Sequence, residues 1–226
     1  MTLRPGEPWG EPTSRQASTE VRGADRDLAL AAGRTPGSLV RFHPENSDLA
    51  RTIGLYPDLE SRGIALPIDG ITFSFDHADA PPSDPSFAVN MLVIGMGPRG
   101  LRAFTKLTPV RVTVDGRHVH NGPATTIVIA NGQFLGSDDL VPRGHPGDGR
   151  LEVQVYSLAP FERKAMRDRL SAGIHVPHSG ITTASGREIE VEINRGELSL
   201  HSDRHLLGSI KALTASIIPD LIHLLV

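Results

Sequence analysis

Seven segments between Gly70 and Asn194 alternate or run apolar over strand length: "GITFSF", "SFAVNMLVIGM", "PVRVTVDG", "TTIVIANG", "RLEVQVYS", "GITTA" and "REIEVEIN". Gly, Pro or Asp turns separate them. Helical segments repeat apolar residues every three or four positions, whereas these repeat every two or are apolar throughout. Strands at this spacing must bury their faces against one another, as a sandwich or flattened barrel. One helical stretch interrupts them, "PFERKAMRDRLSAG", with Pro160 in its first turn and Gly173 at its end. The composition agrees: 23 Gly, 18 Pro and 4% aromatic residues suit a loop-rich β architecture better than a helical bundle.

The chain before Gly70 reads differently. "DRDLALAA" (Asp25 to Ala32) has helix-forming composition, "GSLVRF" is a strand, and "SDLARTIGL" is a helix that Ser47 or Asp48 can cap and Gly54 can end. A polar turn, "HPENSD", thus sits between the carboxyl end of a strand and the start of a helix. In open α/β sheets that is where ligands bind. The first twenty residues read as an arm that Trp9 pins to the body, and "ADAPPSDPS" (Ala78 to Ser86) as a hairpin-type loop. The tail "LTASIIPDLIHLLV" reads as a strand pattern broken by Pro219. "DDLVPRGHPGDG" (Asp138 to Gly149) reads as an exposed loop that a protease can reach.

Several classes drop out. With no cysteine there is no disulfide scaffold, thiol nucleophile or thiolate zinc site. A net charge of −3 gives no reason to expect nucleic acid as a partner. The start lacks the apolar run of a signal peptide and no segment approaches about 20 consecutive apolar residues, so the expectation is a cytoplasmic protein. The histidines are scattered, with no Glu in zincin order, and read as surface residues. "ERKAMRDR" is a basic helix face, either solvated or in contact with an anionic membrane.

Longer patterns carry a resemblance. "PENSDLAR" (Pro44 to Arg51) followed by "TIGL" resembles a Gly-Thr-x-Asn-Asp-hydrophobe-Ala-Arg turn. "FAVNMLVIGMG" resembles a Phe-x-Asn strand ending in Ile-Gly, and "IVIANGQFLGSDDLVPRGHPGDGRLEVQVYS" an Asn-Gly-x-aromatic-x-Gly-Gly segment leading to Asp-Gly-x-Leu-Asp-Val. "IHVPHSGITTASGREIEVEINRGE" is similar to the run toward an Asp-Gly-Glu motif. In this order and spacing, from about Gly23 to the carboxyl terminus, the chain resembles the diacylglycerol kinase-like lipid kinases of the NAD-kinase superfamily.

The resemblance implies an α+β, two-lobed lipid-kinase-like fold. A reduced α/β lobe would span residues 1–64, completed by 211–226, and a larger β-sandwich lobe residues 65–210. It implies ATP-dependent phosphorylation of a lipid hydroxyl with Mg²⁺, in which Gly23, Asp25, Ser47 and Asp48 bind the nucleotide and Glu197 of "NRGE" is the catalytic carboxylate. Asp148 in "PGDG" would hold a metal. Read from the residues alone, Glu197 is an exposed turn residue, Asp148 a hairpin Asp-Gly, and Asp138-Asp139 a solvated acidic pair.

The family's Gly-Gly-Asp-Gly-Thr is here "GADRD" (Gly23 to Asp27). Arg26 stands where glycine lets backbone N–H groups approach phosphate, and Asp27 brings a carboxylate against it. Pro44 removes a donor and Glu45 adds a charge. The expectation is a lipid kinase-like protein, a pseudokinase, whose ATP use is impaired or lost. The alternative is a non-catalytic relative that binds a small ligand, a lipid or a partner protein in the interlobe cleft, with membrane contact or a homo-oligomer as further partners.

Overall fold

The computed structural model of the chain describes residues 9–56, 63–77 and 86–226. The start of the arm, and the "ADAPPSDPS" loop except Ser86, lie outside the described residues. The chain opens with β1 (Glu11–Pro12), β2 (Thr19–Gly23), α1 (Asp25–Arg34), β3 (Leu39–Pro44) and α2 (Asp48–Ile53). β2 and β3 pair in parallel, from Thr19 opposite Val40 to Gly23 opposite Pro44, with α1 as the crossover such a pair requires. α1 buries Leu28, Ala29 and Ala32. The Ser47 hydroxyl accepts from Ala50 N at 2.8 Å, and Gly54 ends α2 at φ 70°, so both expected caps of this short helix form. The Trp9 indole donates to Pro67 O at 3.0 Å, which pins that end of the arm.

The strands that follow are β4 (Ile64–His77), β5 (Ser86–Ala88), β6 (Met91–Gly95), β7 (Thr108–Val114), β8 (Arg117–Ala124) and β9 (Thr126–Ala130). A small ribbon, β10 (Phe134–Leu135) with β11 (Asp138–Asp139), precedes β12 (Leu151–Tyr156) and α3 (Glu162–Arg169). The chain ends with β13 (Ile181–Gly186), β14 (Glu188–Ile193), β15 (Leu198–Ser202) and the 21-residue β16 (His205–Leu225). The main path of the sheet runs β13-β12-β9-β6-β15-β16-β14-β7-β8. Its two ends approach each other, because Gly186 at the end of β13 lies against the Val114 side chain of β7. The result is a flattened, nearly closed sheet, as the strand pattern implies.

Why β6 and β9 run apolar instead of alternating follows from what covers them. Leu92, Ile94, Ile127 and Ile129 point into the cluster inside the sheet. Met91, Val93, Val128 and Ala130 point the other way, into a second cluster with Leu101 and with Met166 of α3. Both faces are buried, so both must be apolar. A third cluster lies under α1 and α2 and includes Leu28, Val40, Leu49, Ile68, Leu221 and Leu224.

Three expectations are corrected. Pro219 does not break the tail: β16 runs on to Leu225, and the proline sits in an irregularity of register between Ile218 and Ile222. There Asp220 takes φ 53° and donates its N–H to Asp69 Oδ1 at 2.9 Å, so a buried carboxylate replaces the missing ladder partner. Residues 140–149 form a loop with Pro142 and Arg143 exposed, as expected, but the chain on either side of these two is packed down. Leu140 and Val141 are buried, and Gly144 lies so close to Gly132 O that a Cβ would come within 2.3 Å of it. His175 is buried, with its ring stacked on Tyr156.

Candidate functional site

Four pieces of backbone meet beside the start of α2: the end of β2, the first turn of α1, the β5–β6 junction and the β15–β16 hairpin. Asp25, at the first position of α1, is the hub. Its carboxylate accepts from Asp48 N at 3.0 Å, from Leu49 N at 3.2 Å and from the Ser47 hydroxyl. These N–H groups are ones that a helix leaves unpaired, so the carboxylate of Asp25 caps α2 from another element. Burial pushes the Asp25 carboxyl up to about 7, and the neighbouring charge of Asp203 adds to this, against the hydrogen bonds from Ser47 and Leu49.

Asp203 was not singled out by the sequence. It and Arg204 form a two-residue turn between Ser202 and His205, with φ values of 46° and 67°. Both central residues of such a turn need positive φ, which normally calls for Gly or Asn. Its carboxylate accepts from the N–H groups of Val89, Asn90 and Met91 at 2.9–3.0 Å, which ties the hairpin to the β5–β6 junction. Burial raises this carboxyl to about 6 despite those three donors. Asp48 completes the group. Its Oδ1 accepts from Gly136 N at 2.9 Å, while Oδ2 has no hydrogen-bond partner and lies 3.9 Å from the Arg204 guanidinium. Its carboxyl is raised by burial, partly offset by the Gly136 N–H and by Arg204 and Arg51.

The structure therefore brings together Asp25, Ser47 and Asp48, and adds Asp203. Gly23 adjoins them at φ 137°; a Cβ there would lie 2.2 Å from an oxygen of Asp27, whose carboxylate already accepts from Ala24 N at 2.9 Å. Glu197 is elsewhere. It lies in the turn between β14 and β15, six residues from Asp203, which is about 20 Å along an extended strand. Asp148 is also apart: its Oδ1 accepts from Arg150 N at 3.0 Å, near Asp69. Asp138 pairs with Arg99, and Asp139 accepts from Gln133 Nε2 at 2.9 Å.

Whether Mg²⁺ and a nucleotide polyphosphate fit can be tested on these contacts. The N–H groups that would cradle phosphate at α2 are held by Asp25 and Ser47, and Ala24 N at α1 by Asp27. Among the described residues, no three His, Asp or Glu side chains converge to hold a metal ion. The residues present do not fit the group. A cavity of about 310 Å³ opens next to the site between α1 and β4, with Arg26, Leu30, Arg34, Phe73, Phe87 and His205 among its lining.

The family described as the YegS C-terminal NAD kinase beta sandwich-like domain matches residues 91–226. A diacylglycerol kinase from Bacillus anthracis str. Sterne superimposes with a TM-score of 0.65 at 16% identity, covering 91% of this chain and 75% of that one. Yeast NADH kinase in complex with NADH superimposes with a TM-score of 0.54 at 11% identity, covering 93% of this chain and 62% of that one. At these identities the likeness establishes the fold. No curated protein matches the sequence.

Proposed function

We propose, from the premise that this chain belongs to the family of the YegS C-terminal NAD kinase beta sandwich-like domain, that it is a diacylglycerol kinase-like protein whose phosphate cradle is closed by its own side chains. One observation carries the reading: the Asp25 carboxylate occupies the N–H groups of Asp48 and Leu49 at the start of α2. Phosphoryl transfer rests on positioning and on neutralising phosphate charge. A triphosphate arriving here would meet a carboxylate where it needs donors, with Asp48 and Asp203 behind it. The β15–β16 turn beside this cradle, Asp203-Arg204-His205, adds one carboxylate, one guanidinium and one imidazole.

A separate observation favours ligand binding without transfer. Arg26, Ala29, Leu30, Gly33 and Arg34 form one stripe of α1 facing the adjoining cavity, opposite Phe73, Phe87 and Leu207. Among the described residues neither arginine pairs with a carboxylate. A single-chain anionic amphiphile matches that lining, with its head at Arg26 and its chain along the phenylalanines.

A thermal-shift panel tests both readings. A ligand at 100 times its Kd stabilises by ~2.7 kcal/mol, about 5–10 °C for a chain of this size. Millimolar Mg-ATP, Mg-ADP and NAD are expected to leave the melting temperature unchanged. A single-chain fatty acid below its micelle concentration is expected to raise it, and Arg26→Ala to remove that rise. A nucleotide shift abolished by Asp25→Ala overturns the closed-cradle reading. An amphiphile shift that Arg26→Ala leaves intact overturns the cleft assignment.

A further inference from the structure

Phe104 is 99% exposed and Phe161 83% exposed, in a chain with seven phenylalanines. A single exposed aromatic is ordinary, but here the turn that carries Phe104 is tied to the start of α3, which follows Phe161, by an arginine that is 1% exposed. The Arg163 guanidinium donates to the carbonyls of Arg102, Ala103 and Thr105 at 2.8–3.0 Å, and its Nε to Leu158 O at 3.2 Å. The turn it clamps is closed on itself: Thr105 N donates to Arg102 O at 3.1 Å, and Arg102 N to the Thr105 hydroxyl at 2.9 Å. Arg167 donates to Leu101 O, and the Leu101 side chain is buried with Met166 and Leu170. Phe104 thus stands at the tip of a fixed turn. Phe161, two residues before the clamping arginine, stands beside it at the start of α3, and Met96 is half exposed nearby, packed on Gly100.

Charge decides what such a tip meets. Residues 96–106 and 159–170 carry seven Arg and Lys against two Asp and Glu, in a chain whose net charge is −3. Of the seven, Arg163 is the buried clamp, Arg99 pairs with Asp138 and Lys164 with Asp168, which leaves Arg102, Lys106, Arg167 and Arg169 as the cations about the tip. Lys106 and Arg169 have no carboxylate partner among the described residues. An aromatic tip flanked by such cations suits the boundary of an anionic bilayer, where rings sit at headgroup depth and each nearby Lys or Arg adds attraction to acidic lipid. A soluble ligand would need a cavity, and the excess of cations favours an acidic lipid surface over a neutral protein face.

We propose that the Arg102–Thr105 turn and the start of α3 form a docking tip for anionic membrane surfaces, with Phe104 and Phe161 entering the headgroup layer and the surrounding cations holding acidic lipid. This is independent of whether nucleotide binds, since it uses none of the residues around Asp25.

The test is co-sedimentation of the intact protein with phosphatidylcholine vesicles containing about 30% phosphatidylserine, against pure phosphatidylcholine. Binding is expected to the acidic vesicles only, to weaken with salt, and to fall about tenfold for Phe104→Ala. Phe104→Trp is expected to show a blue-shifted emission on acidic vesicles that the wild type, with Trp9 alone, lacks. Three results would overturn the proposal: equal sedimentation of wild type and Phe104→Ala, an unshifted emission from Phe104→Trp, or a dimer in sedimentation velocity that Phe104→Ala dissociates. The last would assign the tip to self-association. A circular dichroism melt of each variant excludes unfolding as the cause, because a ring that touches solvent on nearly every side contributes little to the fold.

Discussion

At the scale of single residues, the candidate site is a problem of buried negative charge. Asp25, Asp48 and Asp203 are all buried, and backbone N–H groups supply much of their compensation. Burial pushes the Asp25 carboxyl up to about 7 in the folded chain, against an ordinary aspartate value of 3.8. Between those two values the folded state holds a proton that the unfolded state lacks. The stability linked to that proton is complete below 3.8 and is lost as pH rises through about 7. Asp25→Asn keeps an acceptor for the α2 N–H groups and removes the titration. It is therefore expected to flatten the fall in stability between pH 5 and 8 and to stabilise by about 1–2 kcal/mol at pH 8. Urea melts of both proteins across that range check it, and parallel curves would show that Asp25 is ionised throughout. Asp25, Ser47 and Asp48 stood out in the sequence because they fall in the two stretches that resemble family motifs, and Ser47 or Asp48 also as a helix cap. Asp203 was hidden for a physical reason: its turn uses Asp and Arg at positive φ, where the usual glycine signal is absent, and its partners lie more than a hundred residues away. Glu197 drew attention instead because "NRGE" resembles the Asp-Gly-Glu motif.

At the scale of elements, the helices were readable and the long strand was not. Ser47, Gly54 and Gly173 do what such residues do at helix ends. Pro219 misled because proline usually stops a strand, yet at a bulge its missing N–H costs nothing, and Asp69 receives the Asp220 N–H beside it. The same bulge throws Leu221 across onto β4, where Gly70 leaves room for it. A Cβ at Gly70 would lie 2.1 Å from Leu221 Cδ2, and Leu221 is buried in the cluster under α1 and α2. Gly70→Ala is expected to destabilise by about 1–3 kcal/mol through overpacking. Gly70→Ala with Leu221→Val is expected to recover part of that loss, since the second change removes the atoms that clash. A urea-melt cycle of the two single variants and the double variant measures this; additive losses would mean that the strands simply part without the contact being remade.

At the scale of the whole molecule, β4 and β16 decide whether the chain behaves as one body. Sequence reasoning divided it near residue 64, where the α/β pattern gives way to strands. In the structure β16 supplies Ile210, Leu213 and Ala215 to the cluster inside the sheet, and Leu221, Ile222 and Leu224 to the cluster under α1 and α2. β4 does the same with Ile71, Phe73 and Phe75 on one side and Leu66 and Ile68 on the other. Beyond the bulge, β16 pairs in parallel with β3 at His223 and Leu224, and so extends the β2–β3 pair with a strand from the far end of the chain. Neither cluster can lose its share of these two strands without breaking a ladder that the other depends on. Chains of this size often unfold in stages, but stages require a boundary that few contacts cross. Calorimetry is therefore expected to show a single transition with calorimetric and van't Hoff enthalpies in agreement. Leu224→Ala, made in one cluster only, is expected to lower that transition as a whole and not to split it, with a loss of about 2–5 kcal/mol. Two resolved transitions in the wild type, or a low-temperature shoulder created by Leu224→Ala alone, would show that the first α/β elements melt separately and that the shared strands couple them only weakly.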